Sequence, residues 1–189
     1  MTTLATDPQP IVIVSGLPRS GTSMMMRMLA AGGVPLVTDD ARQPDPSNPL
    51  GFFEDERVKQ LPRGETAWLA EAAGCAVKVV SPLLRFLPPH YRYDVLFMQR
   101  PIEEIMASQA AMLRQRDAAW DAGADDRVRA DYARHLTTVQ DWFAAQPHMR
   151  ALNVPYADVV SQPAAHAARI AAFLARGLDV PAMAAAVER

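Results

Sequence analysis

Cysteine is nearly missing from this 189-residue chain: Cys75 stands alone. That excludes an internal disulfide and suits a reducing compartment. Beside an apolar run, the thiol reads as buried filler rather than a nucleophile. Excess charge of either sign is also missing. A formal net charge of −2 argues against a broad nucleic-acid surface or a face for anionic membranes. No apolar run is long enough to cross a membrane. Residues 1–10 are polar, carry Pro8 and Pro10, and lack the basic region of a signal peptide, so a flexible N-terminus and a cytoplasmic location are expected. There is no internal repeat and no long linker. The histidines, His90, His135, His148 and His166, show no metal-ligand spacing, so no metal is expected. Trp68, Trp120 and Trp142 are too scattered to stack nucleic-acid bases. Half the residues are hydrophobic, enough for one well-buried domain over residues 11–189.

What the chain does have is a compact signal near its start. Ile11 to Val14 is β-branched and apolar, the pattern of a short buried strand. Gly16 and Gly21 bracket a tight loop. Ser20, Thr22 and Ser23 then lead into an apolar helical run. Strand, glycine loop and helix together cradle phosphate, because successive N–H groups turn inward and the helix N-terminus adds partial positive charge. The spacing is that of a Walker A loop. Thr22, however, stands where an NTPase has the lysine that reaches the terminal phosphates. The cation here is Arg19, inside the loop.

Further along, strands and helices alternate. Strand Ile11–Val14 precedes a helix over Thr22–Ala31 that ends at Gly32 and Gly33. Val34–Val37 reads as a short strand and Thr38–Gly51 as a polar, proline-rich loop. Helical patches are expected over Glu54–Leu61 and Glu65–Ala73, a strand over Ala76–Val80, and a helical turn over Pro82–Leu87. The strand near Val95–Met98 ends at Arg100, and Pro101 opens a helix to Arg114 with Ile102, Ile105, Met106, Met112 and Leu113 on its apolar face. A long helix from about Asp125 to Ala145, a strand over Ala151–Val154 and helices near Ala157–Val160 and Ala164–Ala175 complete the pattern. Met24, Met25, Met26, Met28 and Met106 read as core. Such alternation implies a parallel sheet covered on both faces, with ligands at the carboxyl ends of its strands. Arg19, the Lys78–Ser81 stretch, Arg100 and Tyr156 all fall near such ends.

The Pro18-Arg19-Ser20-Gly21-Thr22 core resembles the loop with which the sulfotransferase superfamily binds the 5′-phosphosulfate of 3′-phosphoadenosine 5′-phosphosulfate (PAPS). The Pro-Arg form is similar to that of tyrosylprotein sulfotransferases and many bacterial members. The resemblance implies an α/β, P-loop NTPase-like three-layer fold with a mainly parallel sheet of about four to five strands. It implies PAPS as co-substrate, PAP as product, and Pro18, Arg19, Ser20, Gly21, Thr22 and Ser23 around the donor. Arg100, followed by Ser108 on the next helix, resembles the family's 3′-phosphate site, where a guanidinium supplies charge and a hydroxyl orients. Tyr156, in Asn153-Val-Pro-Tyr156-Ala-Asp, resembles the family's tyrosine that contacts adenine. Val77-Lys78-Val-Val-Ser-Pro82 resembles the cytosolic enzymes' Lys-Thr-His-Leu-Pro segment. Lys78 keeps the lysine that steadies the leaving phosphate, but Val80 stands where their histidine base would be.

For the base, the resemblance to tyrosylprotein sulfotransferases points to Glu54, in Asn48-Pro-Leu-Gly-Phe-Phe-Glu54, with a pKa raised by burial beside Phe52 and Phe53. A cap on the following helix is the other role for Glu54, and Asp39, Asp40 and His90 are alternative bases. The family's C-terminal Arg-Lys-Gly phosphate segment is missing, leaving Arg114 or Arg116 as substitutes. The implied activity is sulfuryl transfer from PAPS to a hydroxyl on a small-molecule acceptor, with Thr38–Leu61 and the helix after Arg116 as walls. The rivals are a nucleotide- or phosphate-binding P-loop protein without transfer, and a P-loop kinase or NTPase. Trp142 and Phe143 suggest a possible homodimer face.

Overall fold

The computed structural model describes residues 9–39, 41–46, 48–115 and 125–187. Asp40, Arg116 and Trp120, together with residues 1–8, lie outside the described residues. Five strands form one sheet in the order β2-β3-β1-β4-β5. They are β1 (Ile11–Gly16), β2 (Leu36–Val37), β3 (Ala76–Lys78), β4 (Tyr93–Gln99) and β5 (Met149–Pro155). Every pairing is parallel. Parallel neighbours cannot be joined by hairpins, so each connection crosses a face of the sheet and covers it.

The side-chain alternation of β1 and β4 splits the core in two. Val12, Val14, Leu96 and Met98 face α1 (Thr22–Ala31), α4 (Tyr156–Ser161), α5 (Pro163–Leu174) and α6 (Val180–Ala185). Ile11, Ile13, Val95 and Phe97 face 3-10 turns over Glu56–Arg63, Ala67–Ala72 and Ser81–Phe86, together with α3 (Asp125–Ala144). The chain is therefore the three-layer α/β arrangement that its sequence pattern implies. The five methionines assigned to the core are buried.

Several local expectations need correction. β3 ends at Lys78 rather than Val80, although the Val79 amide still donates to the Val14 carbonyl at 3.0 Å. The two helical patches after Phe53 are 3-10 turns, broken by Pro62 and by Gly64 in a left-handed conformation. α6 has no counterpart in the expected pattern, yet its signal is ordinary: Asp179 caps it by accepting from the Ala182 amide, and Pro181 sits in its first turn. Cys75 is half-buried rather than buried. Trp142 and Phe143 pack on the chain's own sheet, with Phe143 edge-on to Phe97 at 5.7 Å between ring centroids. Those rings are partly committed to the chain's own core.

The register brings the functional strand ends together. Val14 lies beside Lys78, and Gly16 beside Met98, a few residues before the start of α2 (Ile102–Gln115). Gly16 turns the chain out of the sheet at φ +146°. A Cβ there would lie 2.5 Å from Ser20 Oγ and 2.7 Å from the Met98 carbonyl. On the other side, Ser81 Oγ and His135 Nε2 are 2.8 Å apart, tying the chain after β3 to α3. Burial, reinforced by Arg85, holds the His135 imidazolium below the usual histidine value of 6.5.

Two outcomes follow from these contacts. Gly16→Ala should cost about 1–3 kcal/mol in urea unfolding, because the Met98 backbone carbonyl must yield as well as the Ser20 side chain. A variant as stable as the parent would contradict that geometry. For His135 the folded pKa is lowered, so its contribution is complete above 6.5 and lost as pH falls through the folded value. Urea midpoints on the acid side of neutrality should therefore decline, and His135→Gln should remove part of that decline.

Candidate active site

Where β1, β3 and β4 end, a cavity of about 520 Å³ opens. Pro18, Arg19, Gly21, Thr22 and Ser23 line it from the glycine loop and the start of α1. Gly21 precedes the helix at φ +101°, and a Cβ there would lie 2.5 Å from Tyr156 Cδ2. Glycine is needed to bring the loop this close to the tyrosine ring. Nothing caps α1 through a side chain, so its first N–H groups remain the natural donors for an anion. Ser20 does not line the cavity; its hydroxyl is buried beneath the loop with no partner among the described residues. The free helix amides suit a loop that closes on phosphate oxygens.

Arg19 adopts φ +70°, a strained conformation for a residue with a side chain. Two contacts hold it. Its Nε donates to Ser108 Oγ on α2 at 3.0 Å, and its carbonyl accepts from Arg100 Nη1 at 3.1 Å. Arg100 lies 4.4 Å over the Tyr156 ring and also pairs with Glu104 at 2.9 Å. The three residues expected around a 3′-phosphate and adenine, Arg100, Ser108 and Tyr156, thus line the same cavity as the loop. Arg114 is exposed at the end of α2 and does not line it.

Lys78 occupies the opposite wall. Its Nζ donates to the Phe52 carbonyl at 2.8 Å, to Ser23 Oγ at 3.1 Å and to Glu54 Oε1 at 3.3 Å. Only 8% of its side chain is exposed. Burial pushes the ammonium below the ordinary lysine value of 10.5, while Glu54 holds it up.

Glu54 points into the cavity. It does not cap the next helical turn; Asp55 does, accepting from the Arg57 amide at 2.9 Å. The expected apolar setting is also absent. Its carboxylate sits between Lys78 and Arg42, whose Nη1 lies 3.3 and 3.2 Å from the two oxygens. Two of the alternative bases, Asp39 and His90, stand elsewhere. Asp39 accepts from the Ala41 and Glu56 amides, which lower its pKa, and does not line the cavity. His90 stacks near Tyr91 and lines a separate cleft with Trp68.

Five residues lining this site were not singled out from the sequence: Arg27, Gln109 and the three that follow. Arg42 lies flat on Phe52, 3.4 Å from the ring centroid. Asn48 Nδ2 donates to Ser23 Oγ and to the Gly51 carbonyl, fastening the loop to α1. Tyr132 from α3 forms part of the far wall. Asn48 could have been noticed, since it opens the Asn48-to-Glu54 motif; Arg42 lies in an irregular stretch with no periodic signal.

No family model matches the chain, and no curated protein sequence does. Among solved structures, the sulfotransferase STF1 of Mycobacterium tuberculosis H37Rv superposes with a TM-score of 0.58 at 19% identity, over 94% of this chain and 71% of that one. The sulfotransferase domain from the curacin biosynthetic pathway gives 0.56 at 14% identity, over 97% and 80%. The chain has the fold of these sulfotransferases.

The Lys78 environment yields a direct test. Titration of the Lys78 ammonium by NMR should place it below 10.5, and Glu54→Gln should move it lower still. Because the folded value is lowered, the charged form costs stability in full below that value, and the cost fades as the pH rises from it to 10.5. A Lys78 that titrates at or above an ordinary lysine would contradict the buried geometry.

Proposed function

We propose that the chain transfers a sulfuryl group from PAPS to a hydroxyl on a small-molecule acceptor. The observation that carries the reading is one cavity shared by the glycine loop and by Arg100, Ser108 and Tyr156. PAPS has two anionic ends, the phosphosulfate and the ribose 3′-phosphate. The loop amides, Arg19 and Lys78 suit the first; Arg100 and Ser108 suit the second. Tyr156, already under the Arg100 guanidinium, offers a surface for the adenine.

In the transfer, the acceptor oxygen attacks sulfur in line with the bond to phosphate. The new S–O bond forms as the old one breaks, and PAP leaves with the electron pair. Arg19, Lys78 and the loop amides stabilise the charge growing on its phosphate. The acceptor proton passes to Glu54, which lines the same cavity. A second reading, a nucleotide-binding protein without transfer, is favoured by one feature: Glu54 is already engaged by both Lys78 and Arg42. It predicts PAP binding with no turnover that depends on Glu54.

Calorimetric titration with PAP, ADP and ATP–magnesium separates the donor classes. PAP should bind more tightly than ADP, and Arg100→Ala should weaken PAP by about tenfold or more, far beyond its effect on ADP. ATP–magnesium binding as tight as PAP, and untouched by Arg100→Ala, would return the site to the wider P-loop class.

A further inference from the structure

Donor binding leaves part of this cavity unexplained. Its charged walls are Arg19, Arg27, Arg42, Lys78 and Arg100, against Glu54 as the one carboxylate among the described lining residues. Arg19 and the loop, Lys78, and Arg100 have donor roles in the reading above, on which this inference rests. Arg42 has none.

Its geometry is that of a held cation rather than a loose surface arginine. The guanidinium lies flat against Phe52, which is 4% exposed and gives it a fixed platform. Stacking of this kind fixes the plane of the fork while leaving its edge donors available. Only Nη1 is bonded, to the two Glu54 oxygens. The remaining N–H groups of Nε and Nη2 have no partner among the described residues, and 37% of the side chain is open to solvent. Glu54 keeps a second cation, the nearly buried Lys78, when Arg42 leaves it.

We propose that Arg42 recognises the acceptor, and that the acceptor is a hydroxyl compound carrying an acidic group. In the free protein the guanidinium rests on Glu54. A carboxylate, sulfate or phosphate on the incoming acceptor takes its place, binding the fork in two-toothed fashion. The exchange orients the acceptor hydroxyl and leaves Glu54 with one cation fewer when it must receive a proton. Neutral acceptors of the same shape lack the group that draws Arg42 away. Arg42 is thus a specificity residue, acting on one end of the acceptor while Glu54 acts on the other.

The test uses matched pairs: 4-hydroxybenzoate, 4-hydroxyphenylacetate and 6-hydroxyhexanoate, each against its methyl ester. Binding is measured by calorimetry on the protein alone and on the protein loaded with PAP. At least one acid should bind about tenfold or more tightly than its ester. Arg42→Gln should erase that preference while leaving PAP affinity unchanged, and Arg42→Lys should restore part of it. The proposal is overturned if no pair shows an acid preference, if the preference survives Arg42→Gln, or if Arg42→Gln weakens PAP, which would give Arg42 to the donor. Thermal unfolding of each variant identifies a fold defect, and Arg42→Lys then carries the comparison. Failure of the parent protein to bind PAP would sink the donor reading separately, and the acid–ester comparison on the unloaded protein would still decide the role of Arg42.

Discussion

The Lys78 ammonium is the point on which the cavity depends. One nitrogen reaches the first turn of α1 through Ser23, the 38–54 loop through the Phe52 carbonyl, and the Glu54 carboxylate. A charge so far from water is tolerable only where its protons are satisfied and a counter-charge is near. Its partners are anchored in turn: Ser23 by Asn48, and Glu54 by Arg42 and by the Thr38 hydroxyl on its carbonyl. An irregular loop with little core of its own thereby acquires a fixed position over the strand ends.

Backbone conformation shapes both walls as well. Arg19 and Phe53 both sit at positive φ without being glycine. Such residues cost about 1–3 kcal/mol each and persist where the surroundings over-determine them. The Arg19 side chain and carbonyl are both held from the β4–α2 side, by Ser108 and Arg100. Phe53 lies between the Phe52 carbonyl that receives Lys78 and the carboxylate of Glu54. Both unusual residues therefore aim functional groups into the cavity, one from the glycine loop and one from the irregular segment facing it.

The sheet was legible because its strands are short apolar runs set between amphipathic helices. β1, α1 and β4 fall where β-branched periodicity and the glycine loop put them. The cavity lining was legible where a local motif carried it: the loop, Arg100 after a strand end, Ser108 eight residues later, Lys78 at another strand end. It was hidden where the chemistry depends on long-range pairing. Nothing in the sequence around Arg42 says that it crosses to Glu54 or lies on Phe52. Nor does the carboxylate of Glu54 announce cations instead of apolar neighbours, because Phe52 and Phe53 flank it in sequence while Lys78 reaches it only through the fold. By sequence alone Asp39 and His90 are as available as Glu54; in the fold, backbone amides claim the one and a distant cleft the other.

On the proposed reading, the pairing of Lys78 with Glu54 also bears on how a base and an electrostatic stabiliser can share one small cavity. Left together, each opposes the other's role. The ammonium already donates to the carboxylate that is to receive the acceptor proton, and the carboxylate offsets charge that a leaving phosphate needs. The conflict resolves if the partners exchange in order. As negative charge grows on the phosphate, it competes with Glu54 for the Lys78 protons. Each increment of charge transferred to the phosphate then loosens the carboxylate just as the acceptor hydroxyl becomes acidic. Burial strengthens this coupling, since the low-dielectric setting that lowers the Lys78 pKa also makes the ammonium sensitive to whichever anion is nearest. On the proposed reading, the lysine that neutralises the leaving group also times the base, and a separate histidine at position 80 would have nothing left to do.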